Sequence, residues 1–164
     1  MILILTEPGD GHADHVVEML RTRGAEFVRF HTEDFPARAS LSIGYAPNGQ
    51  MRSLLRAGET AIDLAQLQSV WCRRPKPPVP QEEIQDADVR EFVAEESQDF
   101  LRDLWNAVDC RWLPARPLTI LRAQCKAAQL RVAGELGLEL PPTLFEISSR
   151  HLANGCLMLQ LHKL

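Results

Sequence analysis

The chain predicts an α/β fold built on a mainly parallel sheet, with an antiparallel hairpin insertion in its middle. Three observations carry this. The opening "MILILT" is an apolar run followed by a helical pattern and a second β-rich run, "EFVRF". The middle alternates apolar and polar residues on either side of Asn48-Gly49. A further run of the buried type, "QSVWC", then leads into one long amphipathic stretch.

Each element follows from its local pattern. Residues 1–6 are bounded by the turn-rich "EPGDG", as expected of a strand buried on both faces. Between His12 and Gly24 the apolar Val16, Val17, Met19 and Leu20 recur at helical spacing, and Gly24 is placed to end the helix in a left-handed conformation. With "EFVRF", 26–30, the opening is a β-α-β unit, which is nearly always a right-handed crossover between parallel strands. "ASLSIGYA" and "QMRSLLRAG" flank Pro47-Asn48-Gly49, where Asn-Gly favours a tight hairpin, and "TAID" adds a short strand.

Beyond "QSVWC", the residues Val89, Phe92, Val93, Phe100, Leu101, Leu104, Trp105 and Val108 recur at steps of three, four or seven and predict a single apolar stripe on a long helix. Residues 81–109 also hold ten acids and two arginines, which reads as the solvated face of that helix. "CRWLPARP" is expected to be a strand running into a loop closed by prolines. "KAAQLRVAGELG", 126–137, is a helix with Gly137 as its C-cap, and "LELPPTLF" is extended because its double proline excludes helix.

Composition bounds the function. At 164 residues, 45% apolar and 24% charged, the chain is most simply one ordinary globular domain. A net charge of -4 argues against a surface built to grip nucleic acid. The first apolar run is too short for a signal peptide or a membrane span, and no other run is longer, so no membrane partner is expected. Cys72, Cys110, Cys125 and Cys156 form no CxxC pair, which fits reduced thiols in a cytoplasmic protein better than disulfides or structural zinc.

The residues alone show little chemistry. His12 and His15, with Asp10 and Asp14 beside them, have a spacing that two metal-bound imidazoles could use, but a polar first turn explains them as well. "TEPGDGH" stands where a doubly wound fold keeps its ligand loop, yet its glycines do not match GxGxxG, and Glu7 and Asp10 would repel a phosphate. Arg73 and Arg74 leave a strand at the sheet's carboxyl edge, where an open α/β fold meets ligands. Neighbouring strand residues point to opposite faces, so the two arginines are expected to divide their roles.

Four stretches taken together resemble the N-terminal pre-ATP-grasp domain of the ATP-grasp ribosomal peptide maturases, the family of microviridin-type ligases and related actinobacterial maturases. They are "ILILT" with the helix after it, "VRFHTEDFP" (28–36), "SVWCRRP" (69–75) and "KAAQLRVAGELGLELPPTL" (126–144). The resemblance implies a Rossmann-like pre-ATP-grasp fold with helices on both faces of the sheet, occupying residues 1–144, with a divergent tail at 145–164. It implies a parent activity in which ATP phosphorylates a side-chain carboxylate of a precursor peptide, and a hydroxyl or amine then attacks the acyl phosphate. ATP and magnesium are the family's cofactors; this chain alone is expected to bind neither.

By the same resemblance Lys126 matches a lysine that reaches nucleotide phosphates, although Cys125 stands where the family often has Asn. Arg73 and Arg74 become interdomain or peptide contacts, and one is expected to brace the acidic helix or the catalytic half of the family while the other faces the interdomain cleft. The tail "FEISSRHLANGCLMLQLHKL" departs from the family, so the chain as it stands is expected to be an incomplete, inactive ligase. A different class of function is a free-standing binding module. It would pair with a full-length maturase, with a second copy of itself as a homodimer, or with a precursor peptide held at a sheet edge. An unrelated small-molecule enzyme on the same fold ranks last, because no motif supports it.

Overall fold

The computed structural model describes residues 1–145, so the expected tail, apart from Phe145, lies outside the described residues, as does Cys156. The chain divides into two compact units, Met1–Ile120 and a second that begins at Leu121.

The first unit holds both sheets. Strands β1 (Ile2–Leu5), β2 (Phe27–Phe30), β6 (Ser69–Cys72) and β7 (Arg111–Leu113) form a four-stranded sheet in the order β2-β1-β6-β7. Every pairing in it is parallel. Strands β3 (Ala39–Tyr45), β4 (Met51–Ala57) and β5 (Thr60–Asp63) form a separate antiparallel sheet. The predicted hairpin is therefore the first half of a three-stranded insertion.

Strand parity assigns the faces. Leu3, Leu5, Phe30 and Val70 point to one side of the parallel sheet, and there they meet Leu101, Leu104 and Trp105 of α2 (Ala87–Ala107) and Val108, its C-cap residue. Leu55 and Ile62 of the antiparallel sheet complete the same core. Ile4 points the other way and is fully buried, on the side where Ala13 and Val17 of α1 (Gly11–Thr22) are buried. A helix thus lies on each face, as the resemblance implied.

The chain also ends its elements as read. Gly24 adopts φ +64°, and the Gly24 and Ala25 amides donate back to the Arg21 and Leu20 carbonyls, closing α1 with a Schellman motif. In the second unit, α4 (Lys126–Glu135) closes the same way: Gly137 has φ +76°, and Leu138 N donates to Ala133 O.

Three features differ from expectation. The Pro47-Asn48-Gly49 turn is wider than a two-residue hairpin, because Tyr45 pairs with Met51 and only Gly49 takes a positive φ, +80°. Asn48 instead accepts the Gln50 amide on its side chain, an Asx turn that keeps its own φ negative. The second difference is α3 (Pro117–Ala123), which lies where proline was expected to close a loop. Proline is well suited to a first helical turn, whose N–H groups lack intrahelical partners. The third lies in α2, where the single apolar stripe breaks: Val89 and Phe92 are exposed while Leu101, nine residues past Phe92, is buried. Nine residues are about two and a half helical turns, so Phe92 and Leu101 face opposite ways. No helix among the described residues is long and apolar enough to cross a membrane.

Candidate functional site

The strand order places a crevice. From β1 the chain crosses over to β2 on one side, while β6 lies on the other, so the topological switch point falls beyond the carboxyl ends of β1 and β6. Two segments meet there: the loop Thr6-Glu7-Pro8-Gly9-Asp10 after β1, and Arg73-Arg74-Pro75-Lys76 after β6. The backbone ties them first, since the Arg73 amide donates to Leu5 O at 2.9 Å.

Asp10 is the anchor of this junction. Its carboxylate is 1% exposed, caps α1 by accepting the His12 and Ala13 amides, and accepts the Thr6 hydroxyl at 3.0 Å. Arg73 Nε lies 3.4 Å from Asp10 Oδ2. Burial would push the Asp10 carboxyl up, but the Thr6 hydroxyl, the two amides and the Arg73 charge together hold it below its ordinary value.

Glu7 serves the other pair. Lys76 Nζ approaches its carboxylate to 2.7 Å and Arg74 to 3.6 Å. The Lys76 hydrogen bond and charge hold Glu7 low, and Glu7 in turn holds the Lys76 ammonium above its usual value. On the β2 side, Thr32 Oγ1 donates to Lys76 O, and His31 Nδ1 lies 2.8 Å from Thr6 O.

Sequence reasoning found the arginines but not the two acids they meet within this chain. Among the described residues Arg73 pairs with Asp10 and Arg74 with Glu7, so both hold the β1–α1 loop rather than the acidic helix. The two acids that were read as repelling a phosphate are offset by three cations. Lys76, Thr6 and Asp10 were not singled out as partners, although an Asp directly before an amphipathic helix is a sequence signal for an N-cap.

The histidines sit beside committed acids. His12 Nδ1 is 3.8 Å from Asp10 Oδ1, and Asp14 is turned to Arg29 in an ion pair. Among the described residues, no group of three or more His, Cys, Asp or Glu is arranged to hold a metal ion. Gly11, His12, His15, Val16, Trp71 and Arg73 line an open cleft of about 860 Å³ beside the junction. Lys126 is in the second unit, at the first position of α4, with Nζ 3.1 Å from Gln129 Oε1. Cys125, its N-cap residue, makes no side-chain cap.

A family model described as the MvdD pre-ATP grasp domain matches residues 1–117. The crystal structure of macrocyclase MdnB from Microcystis aeruginosa MRC is 33% identical, with a TM-score of 0.77 over 94% of this chain and 50% of that one. A RiPP-associated ATP-grasp ligase of Chryseobacterium gregarium, solved with ADP and a leader and core peptide, is 27% identical, with a TM-score of 0.74 over 87% of this chain and 43% of that one. Macrocyclase MdnC of the same Microcystis strain, bound with precursor peptide MdnA, shares the fold at 22% identity, with a TM-score of 0.79 over 94% of this chain and 50% of that one. The chain therefore spans about half the length of the structures it matches. Among curated proteins none matches.

Proposed function

The chain belongs to the MvdD pre-ATP-grasp family, and from this premise we propose that it acts as the N-terminal domain of an ATP-dependent ligase that crosslinks a ribosomally made precursor peptide. The carrying observation is the family match over residues 1–117, which takes in the whole parallel sheet and the antiparallel insertion. The likeness to MdnB at 33% identity supports it. In this reading ATP phosphorylates a side-chain carboxylate of the peptide, and a hydroxyl or amine displaces phosphate to leave an ester or amide.

The residues divide the work between the two units. Arg73 and Arg74, fixed by Asp10 and Glu7, present cationic edges at the switch-point crevice, where a peptide or the neighbouring domain is met. Lys126 stands at an N-terminus whose cap residue leaves amides unsatisfied, a set that suits one phosphate of ATP. The described residues offer no matching carboxylate cluster for magnesium. Free thiols at Cys72, Cys110 and Cys125 fit a reducing, cytoplasmic setting.

A domain exchange tests this reading. MdnB carrying residues 1–120 of this chain in place of its own matched segment should still release ADP and remove water from its peptide. A folded chimera that does neither overturns the assignment. A second reading, a binding module that pairs with a full-length maturase or a second copy, is favoured by Phe92, 61% exposed on the outward side of α2.

A further inference from the structure

The two faces of the parallel sheet are unequally covered within the first unit. On the Leu3 side, α2 and the antiparallel sheet complete a closed core. On the Ile4 side, α1 lies over β1 and β2, as shown by Asp14 on Arg29 and Arg21 over the Phe27 ring. Register carries the same face onward: Ile4 pairs with Trp71, Trp71 with Leu113, and Ser69 with Arg111. Over β6 and β7 this face is a groove of about 430 Å³, lined by Ile2, Ile4, Val16, Leu20, Trp71 and Leu113 among others. Val16 and Trp71 also line the cleft at Arg73, so the two depressions run together.

The dimensions suit a helix. Helices packed side by side on a sheet stand about 8–10 Å apart, which is about two strand spacings. With α1 over β1 and β2, the next seat is over β6 and β7. An added strand would gain nothing on this face, because the face presents side chains rather than free backbone groups.

Charge defines the occupant. Arg73 lies at the carboxyl end of the groove and Arg111, level with Ser69, at the other. Four residues of strand separate their levels, about 13 Å. Arg111 has no carboxylate partner among the described residues, and Arg73 offers its terminal nitrogens beyond the Nε held by Asp10. No acidic residue lines either depression.

We propose that this groove docks an amphipathic helix of a partner polypeptide, carrying two acidic residues about eight positions apart with apolar residues between them on the same face. The apolar side chains lie along Trp71 and Leu113, and the acids meet Arg73 and Arg111. The groove shares Arg73 with the crevice of the ligase reading, but it is read out by binding alone, so its failure and the failure of that reading are told apart.

The probe is a fluorescein-labelled, alanine-based helical peptide with two glutamates about eight positions apart and leucines between them on that face. Its control replaces both glutamates by glutamine. Fluorescence anisotropy with the 164-residue chain should give a Kd on the order of 10 μM for the glutamate peptide. Binding should weaken about tenfold for the glutamine peptide, for Arg111→Gln and in about 0.5 M salt. Leu113 is 61% exposed, so Leu113→Glu should abolish binding without lowering the melting temperature. Equal affinity for the two peptides, or undiminished binding to folded L113E, overturns the proposal. So does light scattering that finds a dimer disrupted by L113E and no peptide bound, which would give the groove to a second copy.

Discussion

Asp10 shows how far a single residue can be read from sequence. Its identity and its place before an amphipathic run announce an N-cap, and it caps α1 as that predicts. Its second task, holding Arg73, joins positions 63 residues apart, and no local pattern reports such a pairing. Arg73 and Arg74 take different acids, but both acids sit in one loop. The folded-state carboxyls of Asp10 and Glu7 both lie below their ordinary values. Their contribution to stability is therefore present above the unfolded-state pKa and lost as the pH falls through the lower folded value. Thermal melts should show the wild type losing stability below about pH 4. Asp10→Asn, which keeps an amide oxygen for the cap but loses the charge, should melt lower at pH 7 and show a shallower acid decline. An acid limb as steep as the wild type's would remove Asp10 from that account.

At the scale of elements, α2 separates what periodicity reports from what packing decides. Three-or-four spacing placed Phe92 and Leu101 on one list, but a list of short steps can drift around the helix, and here it drifts by half a circumference. The second half of α2 packs on the sheet through Leu104, 1% exposed, and Trp105, whose ring meets Phe30 and Trp112 edge-on at 6.5 and 6.4 Å. Leu104→Ala should cost about 2–5 kcal/mol, a loss of roughly 5–15 °C in melting temperature. Phe92→Ser should leave the melting temperature within about 2 °C. Comparable losses from both would mean that Phe92 belongs to the core. The strands were legible because they are short apolar runs with turn residues at both ends. α3 was not, because a proline that stops a strand and a proline that starts a helix look alike in sequence.

For the whole molecule, the parallel order and the antiparallel insertion followed from local patterns, but the placing of β1 between β2 and β6 did not, since strand neighbours are a long-range choice. The candidate site inherits that limit: its residues were visible, and its convergence depends on the strand order. Incubated with ATP, magnesium and a precursor peptide, the 164-residue chain should release no ADP. Turnover by the purified chain would mean that its own residues assemble an ATP site. The same strand order also affects synthesis. Of the strands in this sheet β1 leaves the ribosome first, yet its second neighbour, β6, ends 67 residues after it. At about 5–20 residues per second, the most apolar strand waits roughly 3–13 seconds with one edge unpaired. The nascent chain is therefore exposed to misassociation at β1 throughout that interval, and slow translation would lengthen the window.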